Sequence, residues 1–416
     1  MTTTPEHDDK RAAYFALFVL TFINLFNYLD RQMLPAVLES IRADLHFNDS
    51  QLGALATGFI VVYTLTSPVF GSLGDRKRRP PLIAFGVGIW SLATALAGFA
   101  RGFFSLFAAR SLIGVGEAAY GTIAPALLSD HFPAEKRGRV FAVFFCAIPI
   151  GSAAGYIFGG FFDHHFGWRT AFFIAGFPGL LLALLTLMVK EVPRGQHDVP
   201  PAVEEKPRTP ISAYVHLMKN RQYLLSCLGY AAYTFALGGL AWWTPAFLER
   251  VRGLTRSEAT VTFGAIVVVT GFTGTFIGGA LGDYLLKYTK QSYLWVCGVA
   301  TLIAAPVAYV AFTQSNKSVY MTAIVIAEIF VFASTGPINS AIVNVVSPTE
   351  RASAVALSIF LMHILGDMPS PVLIGRLSDL HGLEKAFLIV PAAIFVSGVI
   401  WTYAAVRGDR CAEPSQ

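Results

Sequence analysis

The chain has 416 residues, 54% of them hydrophobic and only 14% charged, with a mean hydropathy of +0.57. A soluble domain carries roughly 25% charged residues, so this composition excludes an ordinary water-soluble globule. The formal charge of +5 suits a protein facing anionic lipid and gives no reason to expect a nucleic-acid partner.

Residues Met1 to Lys10 are polar. The first apolar segment is too long for a signal-peptide core and lacks a small-residue cleavage site, so the N-terminus is expected to stay in the cytoplasm. Apolar runs of about 20 residues, each able to cross about 30 Å of hydrocarbon as a helix, then recur along the chain. They predict twelve spans near 12–41, 50–74, 81–100, 103–130, 138–163, 168–189, 222–250, 257–286, 291–312, 318–346, 352–379 and 383–406. The expected fold class is an all-α membrane protein of two pseudo-symmetric six-helix bundles, 1–190 and 221–416, joined by a linker over 191–220. Pro193, Pro200, Pro201, Pro207 and Pro210 with Glu204, Glu205 and Lys206 make 191–210 linker-like. Residues 211–221 are either a short interfacial helix, through Ile211, Tyr214, Leu217 and Met218, or plain linker.

Basic residues orient the spans. With the N-terminus inside, inside loops hold more than twice as many of the 31 Lys and Arg as outside loops. That bias predicts both termini in the cytoplasm, and the lack of targeting signals is compatible with a bacterial inner membrane. Cys146, Cys227, Cys297 and Cys411 have no metal-ligand spacing. No nucleotide-binding loop or catalytic constellation occurs. The chain is therefore expected to be no enzyme, to hold no metal or cofactor, and to act as a monomer in the lipid bilayer.

Four motifs repeat in order at nearly one offset. Leu34 to Glu39 matches Thr244 to Glu249, and Gly71-Ser-Leu-Gly-Asp75 matches Gly279-Ala-Leu-Gly-Asp283. Pro133 to Lys136 matches Pro348 to Arg351, and Gly167 to Phe172 matches Gly382 to Phe387. A duplicated six-helix unit is the architecture of many secondary transporters.

Gly71-Ser-Leu-Gly-Asp75-Arg76-Lys-Arg-Arg79 resembles the major facilitator signature between helices two and three, departing at Arg78, where the family has Gly. Arg110-Ser-Leu-Ile-Gly114-Val-Gly116-Glu117-Ala118 resembles the basic motif of helix four. Asn27 to Arg31, Glu117 to Pro125, Ala147 to Ser152 and His363 to Pro371 are similar to Spinster-type transporters. The superfamily resemblance covers the whole chain; the Spinster resemblance is stronger in the first half than in the second. It implies helices one, four, seven and ten around a central cavity, alternating access, and an amphipathic lipid cargo of the lysophospholipid or sphingoid phosphate type.

Ionisable residues within a bilayer cost at least about 2.5–3.5 kcal/mol each and are functional candidates by default. Those within spans are Asp30, Arg31, Arg110, Glu117, Glu328, His363 and Asp367. Glu117 lies seven residues after Arg110, nearly two helical turns, so both share a face. Asp30 and Glu117 are the expected proton-coupling sites, since a carboxylate that loses its partner on opening becomes easier to protonate. Arg31 and Arg110, with planar forks suited to phosphate or carboxylate, are expected to meet the substrate together with Trp242 and Glu328. The alternative is a static salt-bridge lattice. In the second repeat Leu240 and Ala241 replace Asp30 and Arg31, Met321 stands near the position of Arg110, and Glu328 answers Glu117. Trp242, Trp243, Tyr233 and Phe235 crowd span seven, which fits a cavity charged on one wall and apolar on the other.

His363 and Asp367 lie four apart on one helix face and are candidates for a pH-sensitive or gating pair, although Asp367 stands equally well as a partner for backbone freed by Pro369 and Pro371. Gly71, Asp75 and Arg76, with Asp283 in the repeat, are expected to form the cytoplasmic gate motif. Gly151, Gly155 and Gly159 make a small-residue stripe expected to permit close helix packing. The leading expectation is a proton-driven secondary transporter of an amphipathic anion. A transporter of a small organic anion or drug, and a lipid receptor that transports nothing, are the alternatives.

Overall fold

The computed structural model describes residues 5–196, 210–346 and 351–412. Pro348, Thr349 and Glu350 of the repeat motif, and residues 197–209 of the expected linker, lie outside them. The described residues contain helices and no strand, as a bilayer requires of a chain that must satisfy its backbone within each segment. In order they are α1 (Pro5–Ala36), α2 (Leu38–Leu45), α3 (Asp49–Arg76), α4 (Arg79–Ala97), α5 (Phe103–His131), α6 (Ala134–Phe166), α7 (Trp168–Thr186), α8 (Pro210–Lys219) and α9 (Arg221–Arg250). There follow α10 (Arg256–Leu285), α11 (Ser292–Thr313), α12 (Lys317–Phe332), α13 (Thr335–Asn344), α14 (Arg351–Met362), α15 (Ser370–His381), α16 (Leu383–Ala386) and α17 (Ile389–Ala412). A π-helical turn, His363–Asp367, joins α14 to α15.

Twelve helical stretches are long and apolar enough to cross a membrane, in register with the twelve expected spans. The tenth and eleventh are composite: α12 and α13 form one, and α14, the π turn and α15 form the other. Of the two readings of 211–221, the helix is the one adopted, as α8.

Two compact units emerge from the packing. The first comprises 1–47, 54–204 and 254–264; the second comprises 48–53, 205–253 and 265–416. In the first, Trp90, Tyr120 and Phe144 centre the core. The Trp90 and Tyr120 rings meet edge to face at 5.6 Å, and the Tyr120 hydroxyl donates to the Leu20 carbonyl at 2.6 Å. In the second, Phe247, Phe312 and Phe387 pack with centroids 4.7–5.4 Å apart, and Trp401 Nε1 donates to Ser226 O at 3.1 Å. Aromatic rings bring large buried area, and their polar tips find carbonyls, as buried Tyr and Trp require.

The repeat recurs in backbone conformation. Gly167 has φ 82°, ψ 157°, and Gly382 has φ 82°, ψ 152°. Each amide donates four residues back, Gly167 to Asp163 O at 3.0 Å and Gly382 to Ser378 O at 2.8 Å. That region of backbone space belongs essentially to glycine, so both repeats turn between their fifth and sixth spans by the same device. The small stripe also does what its composition predicts. A β-carbon at Gly151 or Gly155 would strike the carbonyls of Leu25 and Leu29 on α1, so α6 lies against the stretch of α1 that carries Asp30 and Arg31.

Candidate functional site

The charged residues of the first and fourth spans meet inside the first unit. Asp30, Arg110 and Glu117 are each no more than 2% exposed. Adjacent residues on a helix point about 100° apart, so Asp30 and Arg31 serve different neighbours. Asp30 accepts from Thr94 Oγ1 on α4, whereas Arg31 Nε donates to Glu117 Oε2 on α5 at 2.6 Å. The Arg31 and Arg110 guanidinium carbons both lie 5.1 Å from the Phe59 ring centre. Arg31 also lies over Tyr28 at 5.2 Å and Tyr63 at 5.1 Å. Such cation–π contacts are worth more when water is excluded.

The cluster is neutral in formal charge yet short of hydrogen bonds. Asp30 Oδ1, Glu117 Oε1, and Nε and Nη1 of Arg110 are buried without a hydrogen-bond partner among the described residues. Buried polar atoms are almost always paired, and leaving one unpaired costs about 1–3 kcal/mol or more. Here acceptors and donors coexist in one low-dielectric space, with Asp30, Glu117 and Arg31 as the electrostatic neighbours of Arg110. An arrangement of this kind has spare bonding capacity: a proton on one carboxylate releases an arginine, and an anion can take the carboxylate's place.

The second unit holds the remaining candidates. Trp242 is 6% exposed, and its indole N–H has no partner among the described residues. Glu328 lines a void of about 10 Å³ with Leu240, Thr244, Phe312 and Ile394, at the limit of what one water needs. Its carboxylate accepts from Thr270 Oγ1 at 2.9 Å and has no ion-pair partner among the described residues. Glu328 thus answers Glu117 in the repeat but sits in an apolar setting without a base. His363 Nδ1 lies 2.9 and 3.0 Å from the two Asp367 oxygens, so Asp367 pairs with the histidine. The pair falls within the π-helical turn, and the Met362 carbonyl receives Thr234 Oγ1 from α9 at 3.2 Å. Such turns are rare and frequently sit at functional sites.

At the signature between α3 and α4, Asp75 and Arg76 are exposed and Gly71 is half-buried. The buried member is Arg79, which begins α4. Its backbone N–H and Nε donate to the two Glu191 oxygens at 2.6 and 2.7 Å, its Nη1 to Asp130, and its Nη2 to Val192 O at 2.7 Å. Arg194 Nη2 reaches back to the Gly74 and Lys77 carbonyls at 2.8 Å. Sequence reasoning named Arg79 only as the end of the signature, with no role of its own, and passed over Asp130, Glu191 and Arg194. The available signal was acid placed at the ends of two apolar spans with a basic run between others. Asp283, the repeat counterpart of Asp75, accepts from Tyr293 Oη at 2.8 Å.

Two further polar clusters were also missed. In the first unit, Asp163 accepts from Ser40 Oγ at 2.5–2.7 Å and pairs with Arg256 at 3.2 Å, while Arg256 also donates to Ser40. In the second, Asp49 pairs with Arg250 at 2.7 Å and accepts from Ser378 Oγ at 2.5 Å. Asp379 caps α3 there, accepting from the Asp49 and Ser50 amides at 2.9 Å. Each cluster joins the end of a repeat's first span, the end of its fifth and the start of the other repeat's second. Nearby and outside the spans, the Arg169 guanidinium 2.6 Å from Asp44 holds that carboxyl below its ordinary value.

Comparison with known proteins places this geometry. The Major Facilitator Superfamily profile matches residues 20–366. Protein spinster homolog 1 of Xenopus tropicalis is 35% identical over 94% of this chain and 78% of its own length. Protein spinster of Drosophila melanogaster is 34% identical over 89% of this chain. This chain spans 62% of that fly protein's length. Among solved structures, a bacterial homolog to the human lysosomal transporter Spinster, in an inward-facing and unoccupied conformation, superposes with a TM-score of 0.88 at 23% identity over the whole of both chains.

Proposed function

We propose that this chain, which belongs to the Major Facilitator Superfamily and within it to the Spinster family, is a proton-coupled secondary transporter of an amphipathic, lipid-like anion. The observation that carries the reading is the under-bonded cluster of Asp30, Arg31, Arg110 and Glu117. A static lattice would gain by completing its hydrogen bonds. A set that must bind and release a proton keeps alternatives at hand.

In the proposed cycle, Glu117 holds Arg31 in the resting arrangement. A proton on Glu117 removes the charge that holds the arginine, and the freed guanidinium receives an anionic head by a bidentate contact. Asp30, held by Thr94 and within the field of Arg110, is the second proton site. Alternating access of the two six-helix bundles, 1–190 and 221–416, then exchanges the loaded site between the two membrane faces. Trp242 and the aromatic content of the seventh span support an apolar tail. His363 and Asp367 act as a pH-sensitive element, and Glu328 stands as a further acid of the second bundle. The basic-loop bias supports cytoplasmic termini, and the lack of targeting signals is compatible with a bacterial inner membrane.

Purified protein in proteoliposomes tests this reading. Uptake of a lysophospholipid that rises with an imposed pH gradient, and falls to the no-gradient level in Glu117→Gln, is the expected result. Gradient-independent flux in both proteins would remove proton coupling. Gradient-driven uptake of a small organic anion in preference to the lysolipid would reassign the cargo. Lysolipid binding with no flux under any gradient would make the protein a receptor.

A further inference from the structure

We infer that Phe59 is a positioning residue of the charged site: its ring holds the guanidinium groups of Arg31 and Arg110 in place whether or not Glu117 carries a proton. The inference rests on the proposed reading of Arg31 as the base that receives the anion, and it names the group that keeps that base where the anion arrives.

The arrangement begins with a glycine. Gly114 lies between Arg110 and Glu117 on α5, and a β-carbon there would stand 2.7 Å from the Phe59 carbonyl oxygen and 3.0 Å from the Tyr63 nitrogen. A small residue at this point lets α5 lie close against α3. The close approach brings Phe59, itself 6% exposed, beside the bases of two other helices. The Arg31 and Arg110 guanidinium carbons each lie 5.1 Å from its ring centre, inside the distance of about 6 Å over which a ring face attracts a cation. Tyr63, one turn further along α3, stacks on Phe59 with ring centroids 6.0 Å apart. Arg31 is thus held by three rings, Tyr28, Phe59 and Tyr63, and by the Glu117 carboxylate. Arg110 lies over the Phe59 ring, and its Nε and Nη1 have no hydrogen-bond partner among the described residues.

The two kinds of hold respond differently to a proton. The ion pair of Arg31 with Glu117 needs an ionised carboxylate and ends when that carboxylate is protonated. The negative face of a phenyl ring comes from its quadrupole and cannot titrate. Its attraction therefore persists through the step in which Arg31 changes partners, and exclusion of water strengthens it. A ring shared by two guanidinium groups also offsets the repulsion between buried like charges.

Mono-, di- and trifluorinated phenylalanine placed at position 59 of the full chain test the assignment, because fluorine withdraws charge from the ring face with little change of shape. The series is expected to lower the folding equilibrium constant step by step, by about tenfold at the trifluorinated ring, read from unfolding curves in detergent. The same series at Phe70, a buried ring of α3 packed on Ala118 and Ala119, is expected to show no such progression. In proteoliposomes the half-saturating concentration for uptake of lysophosphatidylglycerol is expected to rise about tenfold across the series at position 59, with the maximal rate changed by less than about twofold. A flat unfolding series, or an equal one at Phe70, would overturn the hold of the ring on the arginines. A graded unfolding series with an unchanged half-saturating concentration would make Phe59 structural alone and overturn its positioning role. No uptake of lysophosphatidylglycerol by the unsubstituted protein would count against the proposed function, and the unfolding series would still decide whether the ring holds the two bases.

Discussion

Asp30 and Arg31 are neighbours in sequence and part company in space, because one helical step turns Asp30 toward α4 and Arg31 toward α5. The consequence is two half-made pairs. Glu117→Gln keeps shape and hydrogen bonding to Arg31 but carries no exchangeable charge. It is expected to abolish gradient-driven accumulation while leaving equilibrium exchange of cargo, measured by counterflow in proteoliposomes. Arg110 answers a different question. Arg110→Ala leaves two buried carboxylates with one base, and removing a partner from a buried charge set costs about 3–5 kcal/mol. A marked fall in the unfolding midpoint is expected, recovered in part by adding Asp30→Asn, with the coupling read from the double-mutant cycle. No recovery would place Arg110 outside the cluster's energetics.

At the scale of elements, Arg79 matters more than its exposed neighbours. It ties the start of α4 to the end of α5 through Asp130 and to the segment after α7 through Glu191 and Val192. Arg79→Ala is expected to destabilise the first unit by about 3–5 kcal/mol, and Arg79→Lys by less, since an ammonium cannot reproduce the fork. Arg76→Ala, at an exposed position, is expected to change stability by under about 0.5 kcal/mol. Unfolding curves of the three variants check that order. The glycine turns make a paired prediction. Gly167→Ala and Gly382→Ala force a β-carbon into a glycine-only conformation and are each expected to cost about 1–3 kcal/mol. Equal losses in the two would follow from equal φ and ψ; a neutral Gly382→Ala would show that the repeat's turn relaxes where the first does not.

Across the whole molecule, an even number of spans is expected to place both termini on one side of the membrane. Reporter fusions at the two termini are expected to agree with each other and to report the cytoplasm, as the basic-loop bias requires. A reporter placed after Arg101, in an odd-numbered loop, is expected to report the opposite side. The cluster of Asp49, Arg250 and Ser378 binds segments far apart in the chain. Arg250→Ala removes the guanidinium that pairs with the buried Asp49, and the second unit is expected to lose about 3–5 kcal/mol, measured by unfolding of the full chain.

Twelve spans, the repeat and the identity of the charged candidates could all be read before any coordinates, because a bilayer penalises misplaced charge so heavily that each buried ion stands out in sequence. The conformation of Gly167 and Gly382 was legible only as a matched pair of glycines, and the choice of helix for α8 was left open. Partnership was not legible: that Arg31 meets Glu117, that Thr94 serves Asp30, that Arg79 and not Arg76 turns inward, and that Glu328 closes into an apolar void. Those outcomes depend on the rotation and offset of helices against one another, which hydropathy does not constrain. A change of one residue in rotation swings a side chain by about 100°, so composition can name the charges a span contains while packing alone decides which of them face each other.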